Sequence, residues 1–251
     1  MKKYPISAVI LAKNEEKNIK RAIESVQFCK EITVVDDGSK DETAHIAEKF
    51  GAKVKKRSMT GDFAGQRNFA MKDTLCDWIL FIDADEEVTS SLQKSCIEAS
   101  NNFQKSAYYI KRRDFWWGKE LRFGETQKAR NKGIIRLVKK NSGSWMGNVH
   151  EIFYTAKSTG TLDGFLNHYP HPTVKEFLSD INTYSSLRAK ELFNQGKKTN
   201  ILEIIIYPFS KFFLNYFLCL GFLDGPAGFA YSFFMSFHSF LVRAKLYQYY
   251  Q

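Results

Sequence analysis

Short apolar runs and amphipathic segments alternate along the first 90 residues. The apolar runs at residues 6–12, 31–35, 52–56 and 78–82 predict four strands. Apolar positions spaced by three and four predict helices between them: one opening at residue 14 or 15, one over 41–50 with Ser39 as its cap, and one over 65–73. This β-α-β-α-β-α-β order predicts a parallel sheet joined by right-handed crossovers.

The pattern changes after residue 100. Runs at residues 107–112, 133–138, 149–154 and 161–168 predict further strands, and residues 173–197 have helical periodicity. Glu176 stands three positions after Thr173, which predicts a capping box at the start of that helix. We therefore expect an α/β protein: a doubly wound, mostly parallel sheet within residues 1–172, followed by a helical, apolar C-terminal appendage over residues 173–251.

Residues 201–242 are more apolar than the rest of the chain. Glu203, Pro208, Lys211 and Asn215 interrupt the run at 201–223, and a Phe-rich segment at 227–242 follows a break at 224–226. Neither part offers the ~20 unbroken apolar residues of a usual membrane span, so a span is the least favoured reading. Two alternatives remain: a helical hairpin in the membrane interface, which flanking basic residues favour, and ordinary helices packed on the core.

Charge is distributed unequally along the chain. Residues 1–100 carry 16 Lys and Arg against 17 Asp and Glu, whereas residues 101–251 carry 21 against 10. The basic C-terminal part favours an anionic partner, which is nucleic acid, anionic lipid or a phosphorylated substrate. The four cysteines are scattered and form no CxxC motif, which indicates free thiols rather than a zinc site.

The most informative segment is ILFIDADEE, at residues 79–87. Four apolar residues lead directly to Asp83 and Asp85, and open α/β sheets bind ligands at the carboxyl ends of their strands. Neighbouring carboxylates repel one another unless a cation neutralises them, and a hard divalent ion takes carboxylate and phosphate oxygens. The segment therefore predicts a metal–diphosphate site. The alternative is an acidic start to the next helix, near Thr89.

Three further segments form a pattern with this one. In chain order the four are VILAKNEE at 9–16, VVDDGSKDET at 34–43, GQRN at 65–68 and DADE at 83–86. Together they resemble the family-2 glycosyltransferases, which are inverting enzymes of the GT-A fold, and the match covers residues 5–90 in order and spacing. The resemblance implies a GT-A-type sheet whose strand-end loops form a crevice for a nucleotide sugar.

The resemblance also implies which residues hold the nucleotide. In that family the loop after the first strand and the second Asp of the Asp-Asp pair bind the base and ribose. Here those residues would be Ala12, Asn14, Glu15 and Asp37. A carboxylate suits this role because it accepts hydrogen bonds from an imide or from sugar hydroxyls. The alternative for residues 36–39 is a plain turn followed by a helix cap.

The other two segments supply the diphosphate side of the crevice. Arg67 corresponds to a basic residue of the family near the base and diphosphate. The alternative is a surface arginine paired with Asp62 or Asp73. Asp83 would contact the sugar or ribose, and Asp85 would be a direct ligand of Mg²⁺ or Mn²⁺.

The second half of the chain resembles a bacterial subgroup that builds the lipopolysaccharide core. The segment WMGNVHE at 145–151 looks like its Val-His-Glu motif. Inverting transfer needs a base that deprotonates the acceptor hydroxyl, and Glu151 is the first choice, with His150 second. The alternative for Glu151 is an ion pair with a nearby lysine. A late histidine often completes the metal site in GT-A enzymes, and His168 fits better than His171; either could instead be structural.

The tail matches the same subgroup at residues 207–209, 211–213 and 220–228, so the resemblance spans almost the entire chain. It is most specific for β-glucosyltransferases that act on inner-core heptose. It implies a metal-dependent transferase that moves a hexose, with glucose the first candidate, from a UDP-sugar to a lipopolysaccharide-core or related lipid-linked saccharide. The expected partners are the UDP-sugar, a phosphorylated glycolipid acceptor and an anionic membrane surface. The expected location is cytoplasmic, peripheral on the inner face of the cytoplasmic membrane.

Other functions stay open at this point. A polyprenyl-phosphate glycosyltransferase usually carries clearer transmembrane pairs, and a protein-directed transferase shares parts of the pattern. A sugar nucleotidyltransferase is disfavoured because no Gly-rich phosphate loop follows the first strand. The sequence pI of about 9.3 suggests a nucleic-acid-binding protein. However, clustered carboxylates repel a phosphate backbone, so we expect no nucleic-acid partner.

Overall fold

The computed structural model describes residues 2–58, 61–101, 104–147, 151–170 and 173–251. The strands are β1 (Tyr4–Ala12), β2 (Cys29–Asp36), β3 (Lys53–Lys56), β4 (Trp78–Asp83), β5 (Glu86–Val88), β6 (Ala107–Trp116), β7 (Lys119–Leu121), β8 (Ile134–Lys139), β9 (Ser144–Met146), β10 (Ile152–Tyr154) and β11 (Thr159–His168). The helices are α1 (Ile19–Ser25), α2 (Thr43–Lys49), α3 (Phe63–Lys72), α4 (Ser90–Ser100), α5 (Gln127–Asn131), α6 (Val174–Asn194), α7 (Ile201–Phe213) and α8 (Gly225–Gln248).

Contacts along the chain define two units. The first unit contains residues 1–112 and 131–168, and the second contains residues 113–130 and 169–251. The second unit thus includes the end of β6 and all of β7 as well as the C-terminal helices. The functional domain boundary expected after residue 172 remains a prediction from the sequence.

The main sheet has the strand order β3-β2-β1-β4-β8-β6-β11-β5, and β7 pairs with β6 off this path. Strands β3, β2, β1 and β4 pair in parallel, as the alternating pattern of the first 90 residues predicts. Strand β8 pairs antiparallel with β4 and with β6, and β11 pairs antiparallel with β5. The expected α/β class and GT-A-type sheet are confirmed. Parallel pairing is limited to these four strands, and the other described pairs are antiparallel, so the sheet as a whole is mixed.

The parallel strands are buried on both faces. Alternate residues of β1 point in opposite directions, so Ile6, Ala8 and Ile10 join one apolar cluster with α1 and α4. Val9 joins a second cluster that contains residues of α3. Strand β4 is divided in the same way between the two clusters. This two-sided burial is why these strands read as continuous apolar runs in the sequence.

Two details of the helix starts differ from expectation. Helix α1 begins at Ile19, because residues 14 and 15 form a turn that bonds to the loop after β2. The predicted cap at Ser39 is wrong: the residue before α2 is Glu42, and it makes no side-chain cap. The Ser39 hydroxyl instead accepts a hydrogen bond from the Asn14 backbone N–H, at 2.9 Å. At α4 the Thr89 side chain provides the cap, and the first turn of that helix contains no acidic residue, so the alternative of an acidic helix start is not borne out.

The second unit is mainly helical. The capping box predicted at Thr173 is present, with Glu176 as its partner. Helix α8 packs against α6 and α7. The turn before α8 approaches the helix so closely that a Cβ atom on Gly228 would collide with the carbonyl of Gly221. These contacts place the C-terminal helices in one packed group.

The helical run Ile201–Leu218 is long and apolar enough to cross a membrane by length and composition, although interruptions in the sequence had made a span the least favoured reading. Only 6% of this run is buried. Core helices of soluble proteins can be equally long and apolar, but they are mostly buried. The exposure of this run distinguishes it from such core helices.

Candidate active site

The carboxyl ends of three parallel strands meet at one edge of the sheet. Leu11 of β1 lies between Val35 of β2 and Asp83 of β4 in the register of the sheet. The loops beyond are tied to β1: the backbone N–H of Asp37 donates to Ala12 O at 2.9 Å, and that of Ala84 donates to Leu11 O at 3.0 Å. The sequence segments expected to converge are therefore brought together.

The loops after β1 and β2 hold each other through several hydrogen bonds. Asn14 adopts a left-handed backbone conformation with φ of 54°, which turns the chain toward the β2 loop. Its side-chain oxygen accepts from the Lys40 backbone N–H at 2.8 Å, and the Glu15 N–H donates to the Thr43 hydroxyl at 2.7 Å. The largely buried Asp37 carboxylate contacts the Lys13 ammonium at 2.8 Å. The four residues expected at the base and ribose thus lie in one interlocked pair of loops.

Arg67 is almost completely buried, with 1% of its surface exposed. It is not a surface arginine paired with Asp62 or Asp73. Its Nη2 contacts Asp83 Oδ1 at 2.9 Å, and its Nε contacts Glu151 Oε1 at 2.8 Å. Phe81 and Trp145 lie beside the guanidinium, with ring centroids 5.6 and 5.0 Å from its central carbon.

One nitrogen of this guanidinium receives no acceptor from the described residues. The Nη1 atom of Arg67 is buried and makes no hydrogen bond within the described part of the chain. A buried donor without an acceptor is costly, and such a group needs a functional explanation. An anionic ligand such as a phosphate would satisfy it, because arginine binds phosphate oxygens through paired N–H groups.

Three arginines neutralise much of the acidic cluster that follows β4. Arg136 of β8 contacts Asp83 Oδ2 at 2.6 Å and Glu86 Oε1 at 3.3 Å, and Arg112 of β6 lies 3.5 Å from the same Glu86 oxygen. With Arg67 on the other Asp83 oxygen, three guanidinium groups face two carboxylates. The charge compensation that the sequence argument assigned to a metal ion is thus supplied largely by arginine.

The ionisation of these groups follows from their partners. Burial would raise the pKa of Asp83, but Arg136 and Arg67 outweigh it and hold that pKa well below its usual value. Burial would lower the pKa of Arg136, but Asp83 and Glu86 raise it, so the guanidinium stays charged. Glu86 is fully buried, and its pKa is raised, first by burial. Asp83 is therefore a permanent anion at the strand end, held by two fixed cations.

Asp85 has a different environment, because it forms an ion pair with a histidine. His168 Nε2 lies 3.1 Å from Asp85 Oδ2. Burial would raise the pKa of Asp85, but the charge and hydrogen bond of His168 outweigh it and lower that pKa. The two residues predicted as metal ligands, 83 positions apart in the sequence, are therefore neighbours.

The Asp85–His168 pair supplies one carboxylate and one imidazole, a donor set that suits Mn²⁺ and is acceptable for Mg²⁺. Within the described ranges no group of three or more His, Cys, Asp or Glu side chains is arranged to hold a metal. An ion at this pair would therefore take its remaining ligands from water and from the donor diphosphate, which is the usual arrangement for Mg²⁺ with nucleotides.

Glu151 lies at the site, with 13% of its side chain exposed. Its Oε1 is held by Arg67, and the described residues give no hydrogen bond to its Oε2. The alternative pairing of Glu151 with a lysine is not observed; its partner is an arginine. His150 and His171 lie outside the described residues.

Arg136, Arg112 and Glu86 were not singled out from the sequence. Arg136 had a usable signal, because it interrupts the apolar run 134–138 in the middle of a predicted strand. A charged residue at such a position is buried only with a partner. Asn68 was also missed: its amide donates to Trp145 O at 2.8 Å and accepts from the Trp145 N–H at 2.9 Å, which fixes the β9 segment beside Arg67.

The family described as Glycosyl transferase family 2 matches residues 7–153. Over most of its length the chain is also similar to curated proteins. It is 36% identical to an uncharacterized glycosyltransferase of Rickettsia typhi, over 96% of this chain and 86% of that protein. It is 30% identical to the lipopolysaccharide core biosynthesis glycosyltransferase LpsC of Rhizobium meliloti, over 98% of this chain and 93% of that protein.

Among solved structures, the glucosyl-3-phosphoglycerate synthase of Mycobacterium tuberculosis in complex with Mn²⁺, UDP and glucosyl-3-phosphoglycerate is similar to the chain with a TM-score of 0.49. The sequence identity is 16%, and the match covers 77% of this chain and 80% of that one.

Proposed function

Because the chain belongs to glycosyltransferase family 2, we propose that it moves a hexose, glucose in the first instance, from a UDP-sugar to a lipopolysaccharide-core or related lipid-linked saccharide. The chain is an enzyme, a glycosyltransferase. The similarity to LpsC, named as a lipopolysaccharide core biosynthesis glycosyltransferase, supports this acceptor class because it extends over 98% of the chain.

The observation that carries the proposal is the position of Arg67 between Asp83 and Glu151. The Nη1 of this arginine makes no hydrogen bond to a described residue and can donate to a diphosphate oxygen. Asp83, fixed as an anion by its two arginines, accepts hydrogen bonds from sugar hydroxyls. The interlocked loops that carry Ala12, Asn14, Glu15 and Asp37 would hold the base and ribose.

Glu151 is proposed as the general base. Arg67 anchors Oε1, which leaves Oε2 to accept the proton of the acceptor hydroxyl. In the same step the hydroxyl oxygen bonds to the anomeric carbon from the face opposite the diphosphate, and the bond to the diphosphate breaks with its electron pair. Inversion at the anomeric carbon follows. His150, which directly precedes Glu151 in the sequence, is the second candidate for the general base.

Asp85 and His168 are proposed to hold Mg²⁺ or Mn²⁺. The bound ion would supply positive charge that stabilises the departing diphosphate. Asp83 is less suited to this role because both of its oxygens already contact arginines.

The acceptor is proposed to be reached at the inner face of the cytoplasmic membrane, where the enzyme binds peripherally. The exposed apolar run Ile201–Leu218 and the basic balance of residues 101–251 support contact with an anionic membrane. The same run favours a second candidate function, transfer to a polyprenyl phosphate, because that acceptor is also held in the membrane.

Release of radiolabelled glucose from UDP-glucose, with Mn²⁺ or Mg²⁺ and no acceptor, tests the transferase assignment. Slow hydrolysis is expected, because water can replace the acceptor hydroxyl. A panel of UDP- and GDP-sugars identifies the donor, and Asp163→Ala serves as control because Asp163 is an exposed acid of the same unit. Absence of turnover with every sugar nucleotide, and of binding by UDP, would refute the proposal.

A further inference from the structure

An aromatic side chain is exposed at a strained hairpin tip in the second unit. Trp117 lies between β6 and β7, with 53% of its surface exposed and a backbone φ of 50°. A bulky residue rarely adopts this left-handed conformation, and such strain persists only where the surroundings hold it. The ring stacks on buried Trp116 with centroids 4.3 Å apart, and Trp116 packs edge-on against Phe177. The fold therefore presents this tryptophan to solvent in a fixed position.

A cavity of about 380 Å³ opens next to this tip. Its walls include Gly118, Lys119 and Arg122 from the hairpin and Leu223 from the turn before α8. Arg122 has 61% of its side chain exposed. The cavity has the volume of a small-ligand site, and two cationic side chains form part of its wall.

The acids of the cavity are engaged by nearby donors. Asp224 Oδ2 accepts the backbone N–H groups of Arg122 and Phe123, each at 2.9 Å. Glu120 lies 3.1 Å from Arg130 and 3.3 Å from Arg122. The whole unit carries 13 Lys and Arg against 8 Asp and Glu, a net charge of +5. Lys119 Nζ donates to the Asp224 carbonyl at 2.9 Å, and Lys119 and Arg122 together present two cationic side chains to an anion in the cavity.

The rim of the cavity continues into an exposed apolar surface. Leu223 lines the cavity and is 52% exposed, and its neighbour Phe222 is 43% exposed. Exposed large apolar side chains also follow one another along α7 and the turn after it: Ile201, Leu202, Ile205, Ile206, Phe209, Phe213, Leu214, Phe217 and Leu218. A soluble phosphate would gain nothing from this surface, whereas a lipid has both an anionic headgroup and apolar chains.

We propose that the Lys119–Arg122 cavity binds the phosphate of an anionic membrane lipid, while Trp117, Phe222 and Leu223 enter the interfacial layer of the bilayer. This inference rests on the proposed membrane-held acceptor and names the surface that docks. Tryptophan favours the membrane interface because its ring is apolar and its N–H is polar. The cavity places two cations at the headgroup level beside that ring.

The test is sedimentation of the full chain with vesicles of phosphatidylcholine alone or with phosphatidylglycerol, at moderate salt. Each basic residue near an anionic surface contributes about fivefold in binding. Arg122→Gln should therefore weaken binding to the anionic vesicles about fivefold, and Lys119→Gln with Arg122→Gln roughly 25-fold. The control pair is Lys128→Gln with Lys175→Gln, which removes the same charge from exposed positions outside the cavity wall. The binding of the control pair to the anionic vesicles should weaken by less than about threefold.

A second readout follows insertion. Vesicles should shift the tryptophan emission of the wild type to shorter wavelength, and Trp117→Phe should remove most of that shift while it keeps an apolar ring. Equal losses in the cavity pair and the control pair would overturn the proposal, because the attraction would then be unspecific. Binding to inorganic or glycerol phosphate without binding to vesicles would also overturn it.

Hydrolysis of UDP-glucose by the wild type is measured in parallel. Normal hydrolysis with no vesicle binding would reject the lipid site alone. Vesicle binding as predicted, without turnover of any sugar nucleotide, would reject the proposed function and leave the lipid site standing.

Discussion

Substitution of Glu151 by glutamine separates its role as a base from its role beside Arg67. Glutamine keeps the shape and an oxygen that can accept from Arg67 Nε, but it cannot take up the proton of the acceptor. Loss of a general base typically lowers a rate by ~10²–10⁴-fold, which corresponds to about 2.7–5.5 kcal/mol in activation free energy. Because Arg67 keeps its contact with Asp83, the loss of one charged partner should cost roughly 1 kcal/mol of stability.

Nucleotide affinity should change by less than about tenfold, since the bond between Arg67 and Asp83 remains and Nη1 is untouched. The assay combines kcat for sugar transfer, UDP binding by calorimetry and a urea unfolding curve, with Asp163→Asn as control. A near-normal kcat together with a large loss of UDP affinity would refute the reasoning. Glu151 would then serve only to hold Arg67 in the donor site.

Four further predictions follow from the same geometry. Asp85→Ala should abolish transfer and weaken UDP binding in Mn²⁺, whereas Asp163→Ala should not; equal UDP affinity with and without Mn²⁺ in the wild type would exclude the metal role. Arg136→Met should lower the free energy of unfolding by about 3 kcal/mol, because it removes a buried partner of two carboxylates; an unchanged urea midpoint would contradict this. Iodoacetamide should label Cys219 first, since the other three thiols are buried, as peptide mass spectrometry can check. Phe209→Asp should weaken vesicle binding at least about tenfold, because that ring is 73% exposed on α7; unchanged sedimentation would show that α7 does not meet lipid.

The parallel half of the fold could be predicted because each element depends on local patterns. The buried strands read as apolar runs, and the loops between them are short, so strand order follows from simple crossover rules. The capping box at Thr173 was predictable for the same reason, since it depends on residues three positions apart. Ser39 shows the limit of local reasoning: its hydroxyl had a long-range partner, Asn14, that competed with the local cap.

Most residues of the site could be predicted from the sequence, but the contacts between them could not. Asp85 and His168 were both candidates, and their contact depends on β11 pairing with β5, a register that no local pattern specifies. The link from Arg67 to Glu151 spans 84 positions. From the sequence, Glu151 was expected only as the base for the acceptor hydroxyl, and its contact with an arginine of the proposed donor site was not expected. The role of Arg136 could not be predicted from the local sequence, because its burial depends on contacts with Asp83 and Glu86, which lie on other strands.

The most direct test of the central claim is the anomer released from UDP-glucose by the wild-type enzyme in the first minutes of hydrolysis with Mn²⁺. Proton NMR distinguishes the two anomers before they equilibrate. The donor is α-linked, so attack from the face opposite the diphosphate predicts β-glucose together with UDP. Release of α-glucose would contradict inversion with Glu151 as base, and no release from any sugar nucleotide would contradict the transferase itself.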